Sequence, residues 1–135
     1  MVEVSAPPLR SIAVLASPDA CDAAGGHRVA PDEALVLDGD TDALRAAVAP
    51  LDPDALVVDV SGGWAAVRLE GDGARSAFAR LSELELPPDG FVQGEVLRVG
   101  ARVVVAGDRI DVLVPAMVLD HVLERVRAGC RDLLR

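Results

Sequence analysis

Residues 57–75, VVDVSGGWAAVRLEGDGAR, contain the pattern that decides the fold. An apolar run ends in the glycine pair Gly62–Gly63, and an alternating segment, Trp64–Leu69, follows it. Adjacent glycines supply the positive φ angles of a tight turn, so the two segments are predicted to form a β-hairpin. The sequence then enters a helical pattern after Asp72, which we expect to cap that helix.

Helical spacing elsewhere predicts two more helices. One covers about residues 42–49, with Asp40 or Thr41 as its N-cap. The last begins at Pro115, because proline suits a first helical position. The residues expected to face the core are Ala74, Ala77, Phe78 and Leu81 in the helix after Asp72, and Met117, Val118, Val122 and Val126 in the last helix.

The order of predicted elements defines the fold class. A strand at 34–37 and the helix at 42–49 precede the proposed hairpin, and three strands lie between the second and last helices. This β-α-β-β-α-β order with an extra hairpin and a C-terminal helix predicts an α+β, ferredoxin-like split βαβ fold, with an antiparallel sheet and helices on one face. Prolines and glycines interrupt residues 1–30, so we expect an irregular N-terminal arm followed by a single domain over 31–135.

Composition excludes several classes of function. The chain has 135 residues, 51% of them apolar, and carries a net charge of −9. Its basic residues are all arginines, which excludes a Schiff-base or P-loop lysine, and no basic cluster suits nucleic acid. No apolar run is long enough to span a membrane, and no secretory signal peptide is recognisable. With two isolated cysteines, we expect a cytoplasmic acidic protein that docks on a positive partner surface.

No cluster of residues predicts catalysis, a cofactor or a metal. Residues 38–42 read DGDTD, which resembles the start of a calcium loop, but the glycine and glutamate that such a loop needs later are replaced by Ala43 and Ala49. Gly71-Asp72-Gly73 lacks the third glycine of a phosphate loop. A Ser61–His121 pair is conceivable, but no nucleophile elbow surrounds Ser61, and His121 is better interpreted as a surface histidine. We therefore predict no catalytic, cofactor-binding or metal-binding residue.

The one tryptophan is the best candidate for a functional residue. Trp64 shares a strand face with Arg68, and Phe91 and Gln93 follow a Pro-Pro turn. Tryptophan and arginine concentrate binding energy at protein interfaces, whereas a lone tryptophan is equally compatible with a place in the core. Two interpretations stay open for Trp64, Arg68, Phe91 and Gln93: an interface with another protein, to which Arg68 would offer a partner for a carboxylate, or core packing.

Several motifs resemble those of the gamma subunit of heterotetrameric sarcosine oxidase, a relative of the folate-binding aminomethyltransferases. The resemblance spans roughly residues 31–127 and rests on Pro31-Asp32-Glu33, Leu35-Val36-Leu37, Val57–Arg75, Gln93 and Leu113-Val114-Pro115. It implies the folate-binding fold and a non-catalytic subunit without cofactor, whose partner subunits hold the flavins and the folate site. A stand-alone binder of a small, folate-like molecule, or a homo-oligomer of the same fold, is the alternative.

Overall fold

The computed structural model describes residues 1–135, which form nine strands and four α-helices. The strands are β1 (Glu3–Ser5), β2 (Ser11–Leu15), β3 (His27–Ala30), β4 (Glu33–Leu37), β5 (Leu56–Asp59), β6 (Trp64–Glu70), β7 (Gly90–Val96), β8 (Val99–Ala106) and β9 (Arg109–Pro115). The helices are α1 (Pro18–Ala24), α2 (Thr41–Val48), α3 (Ala74–Ala79) and α4 (Leu119–Gly129). Short 3₁₀ turns occupy Ser61–Gly63, Ala116–Val118 and Arg131–Leu133.

The α+β class, the extra hairpin and the C-terminal helix are confirmed, and the strands divide over two antiparallel sheets. The first sheet has the order β1-β6-β9-β8-β7 and belongs to a compact unit made of Met1–Pro8 and Gly63–Arg135. The second has the order β3-β4-β2-β5 and belongs to a unit made of Leu9–Gly62. Every strand pairing is antiparallel.

The five-stranded unit buries one face of its sheet against α3 and α4. Period-two alternation directs one set of strand residues into this core. The strand residues in the core include Val67, Leu69, Val103, Val105, Ile110, Val112 and Val114. The predicted inward face of α3, from Ala74 to Leu81, is buried with them, as are Val122 and Val126 of α4. The helical spacing thus identified the correct face of α3 and the inward positions of Val122 and Val126 in α4.

The four-stranded unit has a smaller core under α1 and α2. Its buried members are Ile12, Val14, Ala16, Ala20, Cys21, Ala34, Leu44, Val48 and Val57. The backbone N–H of Asp42 donates to Oδ1 of Asp40 at 2.9 Å, which confirms Asp40 as the cap of α2. Ser17 caps α1 by accepting a hydrogen bond from the N–H of Ala20. Both helices therefore begin where a short polar side chain satisfies a free amide.

The hairpin predicted across Gly62–Gly63 is absent. Strand β5 pairs with β2 in the four-stranded sheet, whereas β6 pairs with β1 and β9 in the other sheet. Neither glycine has the positive φ angle of a two-residue hairpin turn. Instead, Oδ1 of Asp59 accepts a hydrogen bond from the Ser61 N–H at 2.9 Å, and a 3₁₀ turn follows.

Residues 1–30 are not an irregular arm. Strands β1, β2 and β3 and helix α1 lie within them, and β1 completes the five-stranded sheet beside β6. The prolines and glycines fall between these elements, so they mark boundaries and do not prevent strands from forming. The single domain expected over 31–135 stays a prediction.

Two helix starts also differ from the expected ones. Gly73 occupies the N-cap of α3 without a side-chain cap, and the Asp72 carboxylate accepts a hydrogen bond from the N-terminal ammonium of Met1. That hydrogen bond lowers the pKa of Asp72. At the last helix, Pro115 ends β9 and a 3₁₀ turn intervenes before α4. Met117 lies in this turn and is 92% exposed, so its predicted inward position is wrong.

Candidate functional site

The candidate interface residues all lie on the sheet face opposite α3 and α4. Alternation along β6 and β7 puts Trp64, Arg68, Phe91 and Gln93 out of phase with the core residues of the same strands. Arg102 of β8 and Asp111 of β9 share this face by the same alternation. We call these six residues the Trp64 face.

Arg102 covers the indole of Trp64. Its guanidinium carbon lies 4.3 Å from the ring centroid, well inside the range of a cation–π contact. Strand register places Arg102 opposite Gln93 on β7 and opposite Leu113 on β9, so the backbone fixes its position. The tryptophan is half-buried in this arrangement.

Arg68 forms a bidentate ion pair with Asp111. The Nε–Oδ1 distance is 2.7 Å and the Nη2–Oδ2 distance is 3.1 Å, and the two residues are direct register partners on β6 and β9. The Asp111 side chain is 5% exposed, and Nε of Arg109 lies 3.7 Å from its second oxygen. Arg68 was expected to offer a partner for a carboxylate of another protein, but its carboxylate partner is within its own chain.

The sequence identified four members of the Trp64 face and missed the two that hold it together. Arg102 and Asp111 are charged residues with an apolar residue on each side in their strands. Continuing the alternation through the turn at Gly107-Asp108 places both on the face away from the helices. Alternation along β8 and β9 was therefore the sequence signal that could have found them. The interface role of Trp64, Arg68, Phe91 and Gln93 stays a prediction.

A concave region lies beside the turn between β7 and β8. It is an open cleft of about 1130 Å³ with Leu81, Leu84 and Leu97 among its lining residues. Its charged lining consists of Arg80, Arg98, Arg125, His121, Glu83 and Glu95. Arg80 is paired with Asp132, so the remaining arginines and the glutamates balance in formal charge. This mixed lining selects neither an anion nor a cation.

The other sequence motifs have structural roles. Asp40 caps α2, and Oδ1 of Asp38 accepts a hydrogen bond from the Arg10 N–H. The Ser61 hydroxyl accepts a hydrogen bond from the Ser11 N–H at 2.9 Å. No group of three or more histidine, cysteine, aspartate or glutamate side chains is arranged to hold a metal. None of the helices has the length and apolar composition that crossing a lipid bilayer requires.

Both cysteines are buried and unpaired. Cys21 belongs to the core of the four-stranded unit and Cys130 to the core of the five-stranded unit. Burial raises the pKa of the Cys130 thiol, which opposes formation of the reactive thiolate. This position suits packing and not nucleophilic chemistry.

The fold resembles that of a chain in a multisubunit oxidase. A structure of heterotetrameric sarcosine oxidase from Corynebacterium sp. U-96, in complex with pyrrole 2-carboxylate, matches with a TM-score of 0.81. The match covers 97% of this chain and 84% of that chain, at 16% sequence identity. No protein-family model matches the sequence, and no curated protein matches it. At this identity the likeness establishes the fold.

Proposed function

We propose that this chain is a non-catalytic subunit of a multisubunit flavoenzyme related to sarcosine oxidase, and that it contributes to assembly and not to chemistry. The observation that carries the proposal is the fold match, which extends over nearly all of this chain and most of a chain in a heterotetrameric enzyme. A match on both lengths favours a similar role for the whole chain over a shared module within an unrelated protein. We place the protein in the cytoplasm, where free cysteines are the rule.

The use of polar side chains also supports a role in assembly. Arg68 and Asp111 neutralise each other, and the Ser61 hydroxyl binds the backbone of Ser11. Arg80 pairs with Asp132, with an Nη2–Oδ2 distance of 3.0 Å, and this pair lowers the pKa of Asp132. These charged and hydroxyl side chains, which could otherwise take part in catalysis, thus stabilise the fold.

Within the Trp64 face, we propose that Trp64, Arg68, Phe91 and Gln93 contribute to subunit contacts. Trp64→Ala is expected to weaken assembly by about 2 kcal/mol or more, because tryptophan is enriched among interface hot spots. Sedimentation of the variant and the parent with the partner subunits measures this loss. If the variant unfolds while the parent assembles normally, Trp64 belongs to the core and the interface interpretation of this residue is wrong.

Isolation of the protein from its own host tests the proposed function. A tagged copy is expected to co-purify with larger subunits in fixed stoichiometry, determined by light scattering and mass spectrometry. The assembly is expected to contain flavin and to form hydrogen peroxide from sarcosine or a related secondary amine, whereas the isolated chain is expected to do neither. A monomer that lacks partners and binds a reduced folate in calorimetry would instead favour the stand-alone binder.

A further inference from the structure

Three large apolar side chains are exposed together at one border of the four-stranded sheet. Leu15 is 41% exposed, Leu56 is 60% exposed and Val58 is 42% exposed. Leu15 and Leu56 are direct register partners on β2 and β5, and Val58 lies two residues further along β5 on the same face. We call these three residues the β5 patch. Cross-strand partners have Cβ atoms about 4.5–5.5 Å apart, so the patch is continuous.

The segment that carries the β5 patch is strongly acidic. Residues 9–62 contain ten aspartates and glutamates against three arginines, which gives this unit a net charge of −7 within the chain's −9. Glu33 on β4 is the register partner of Leu15 and shares its face, and Asp54 precedes β5, so carboxylates flank the patch. The patch is therefore an apolar centre with a negative border.

The free edge of β5 is partly blocked. The strand is the last in the order β3-β4-β2-β5, so one side of its backbone has no neighbouring strand. Nη2 of Arg45 donates a hydrogen bond to the Val57 carbonyl oxygen at 3.1 Å and occupies an acceptor that an added strand would need. Covering an edge in this way opposes strand addition. Binding at the β5 patch is thus expected to use side chains.

We propose that the β5 patch is a docking surface for a different protein subunit, one that presents apolar side chains bordered by lysine and arginine. Charge argues against a second copy of this chain, because two units of net charge −7 would repel each other. A basic partner would be attracted by the acidic border and would cover the leucines and the valine on contact. This inference rests on the proposed function: it identifies the β5 patch as the surface through which this subunit would bind its partner.

Photo-cross-linking in the native host tests the inference. One variant carries benzoylphenylalanine in place of Leu56, and a matched control carries it in place of Met117, which is also exposed but belongs to the other unit. After irradiation, the cross-linked peptides are identified by mass spectrometry. We expect the probe at position 56 to react with a lysine- or arginine-rich surface of a different polypeptide, in a yield that falls when salt is added before irradiation. The probe at position 117 is expected to give little product.

Measuring the affinity of two variants for the partner tests the inference a second way. Leu56→Arg is expected to raise the Kd for the co-purified partner at least about tenfold, because it places a cation against a basic surface. Met117→Arg makes the same chemical change outside the patch and is expected to alter the Kd by less than about twofold. Circular dichroism checks that both variants are folded.

Each other outcome overturns the inference. A partner that co-purifies but gives no cross-link at position 56, and binds Leu56→Arg as tightly as the parent, refutes the β5 patch while leaving the proposed function intact. Cross-links only to another copy of this chain would make the patch a surface for self-association. The absence of both a stoichiometric partner and a cross-link would refute the proposed function and the inference together.

Discussion

At the scale of single residues, the ion pair of Arg68 and Asp111 is the polar contact whose loss we expect to cost the most stability. Asp111 is almost completely buried and Arg68 is about three-quarters buried, so loss of one partner leaves the other charge poorly solvated. We expect Asp111→Ala to lower the free energy of unfolding by about 1–3 kcal/mol. Urea titration followed by circular dichroism measures the change.

Glu95→Ala is the matched control for this prediction. Glu95 is an exposed carboxylate on β7 of the same sheet, so its removal is expected to change the free energy of unfolding by less than about 0.5 kcal/mol. Equal effects of the two variants would contradict the view that the buried ion pair stabilises the sheet.

The residues that sequence reasoning placed correctly are those whose position follows from local periodicity. Trp64 and Arg68 share a face because strand side chains alternate, and this holds whatever the partner strand is. The contacts of Arg68 with Asp111, and of Trp64 with Arg102, depend on which strands pair and in what register. Register is set by the tertiary structure, so alternation within one strand cannot supply it.

At the scale of elements, α3 tests the packing of the larger core. Phe78 is 1% exposed and is the largest fully buried side chain of the protein. Phe78→Ala is expected to lower the free energy of unfolding by about 3–5 kcal/mol, because the chain has few large side chains that could fill the cavity. Phe91→Ala offers a matched control, since Phe91 is only half-buried and its loss is expected to cost less. A denaturation midpoint of Phe78→Ala equal to that of the parent would contradict the assigned core.

The two tight turns of the five-stranded sheet permit a reciprocal test of backbone conformation. Arg98, in the turn between β7 and β8, has a φ of 65°, and Gly107, in the turn between β8 and β9, has a φ of 59°. A residue with a side chain pays about 1–2 kcal/mol to adopt a left-handed conformation, and replacing it by glycine removes this cost. Glycine, however, loses more conformational entropy on folding, which takes back about 0.5–1 kcal/mol of that gain. We therefore expect Arg98→Gly to raise the free energy of unfolding by about 0.5–1 kcal/mol.

Gly107→Ala is expected to have the opposite effect of similar size. An added Cβ at Gly107 meets no atom within 4 Å, so only the backbone conformation opposes the substitution. Thermal unfolding of both variants measures the changes. Stabilisation by Gly107→Ala, or destabilisation by Arg98→Gly, would contradict the assigned turn conformations.

Turns also explain why the sequence predicted the helices better than the strand connections. The inward residues of α3 were correct because their spacing is a property of the helix itself. The glycine pair at 62–63 has the composition of a hairpin turn, but the two glycines adopt a 3₁₀ turn that separates β5 from β6. In residues 1–30, strands β1 and β2 obtain their partners from distant segments, which local composition could not reveal, whereas β3 forms a short hairpin with β4 across residues 31–32.

At the scale of the whole molecule, the division into two units raises the question of how many parts fold independently. Residues 9–62 have a small core without any aromatic side chain and carry most of the negative charge. Segments of this size are marginal in isolation, and charge repulsion opposes compaction further. We expect a peptide of residues 9–62 to be unfolded, and the full chain to unfold in one transition.

Calorimetry of the peptide and of the full chain tests this prediction. A cooperative transition of the peptide alone, or two resolved transitions of the full chain, would show that the chain contains two folding domains. The predicted single domain over residues 31–135 would then be wrong.

Residues 2 and 133–135 lie side by side in the five-stranded unit. The Val2 N–H donates to the Leu133 carbonyl oxygen at 2.8 Å, and the Arg135 N–H donates to the Val2 carbonyl oxygen at 2.9 Å. A linker of a few residues would therefore close the backbone into a ring. New ends could then be opened between the exposed glycines 62 and 63. In the resulting circular permutant, residues 63–135 come first, followed by the linker and residues 1–62.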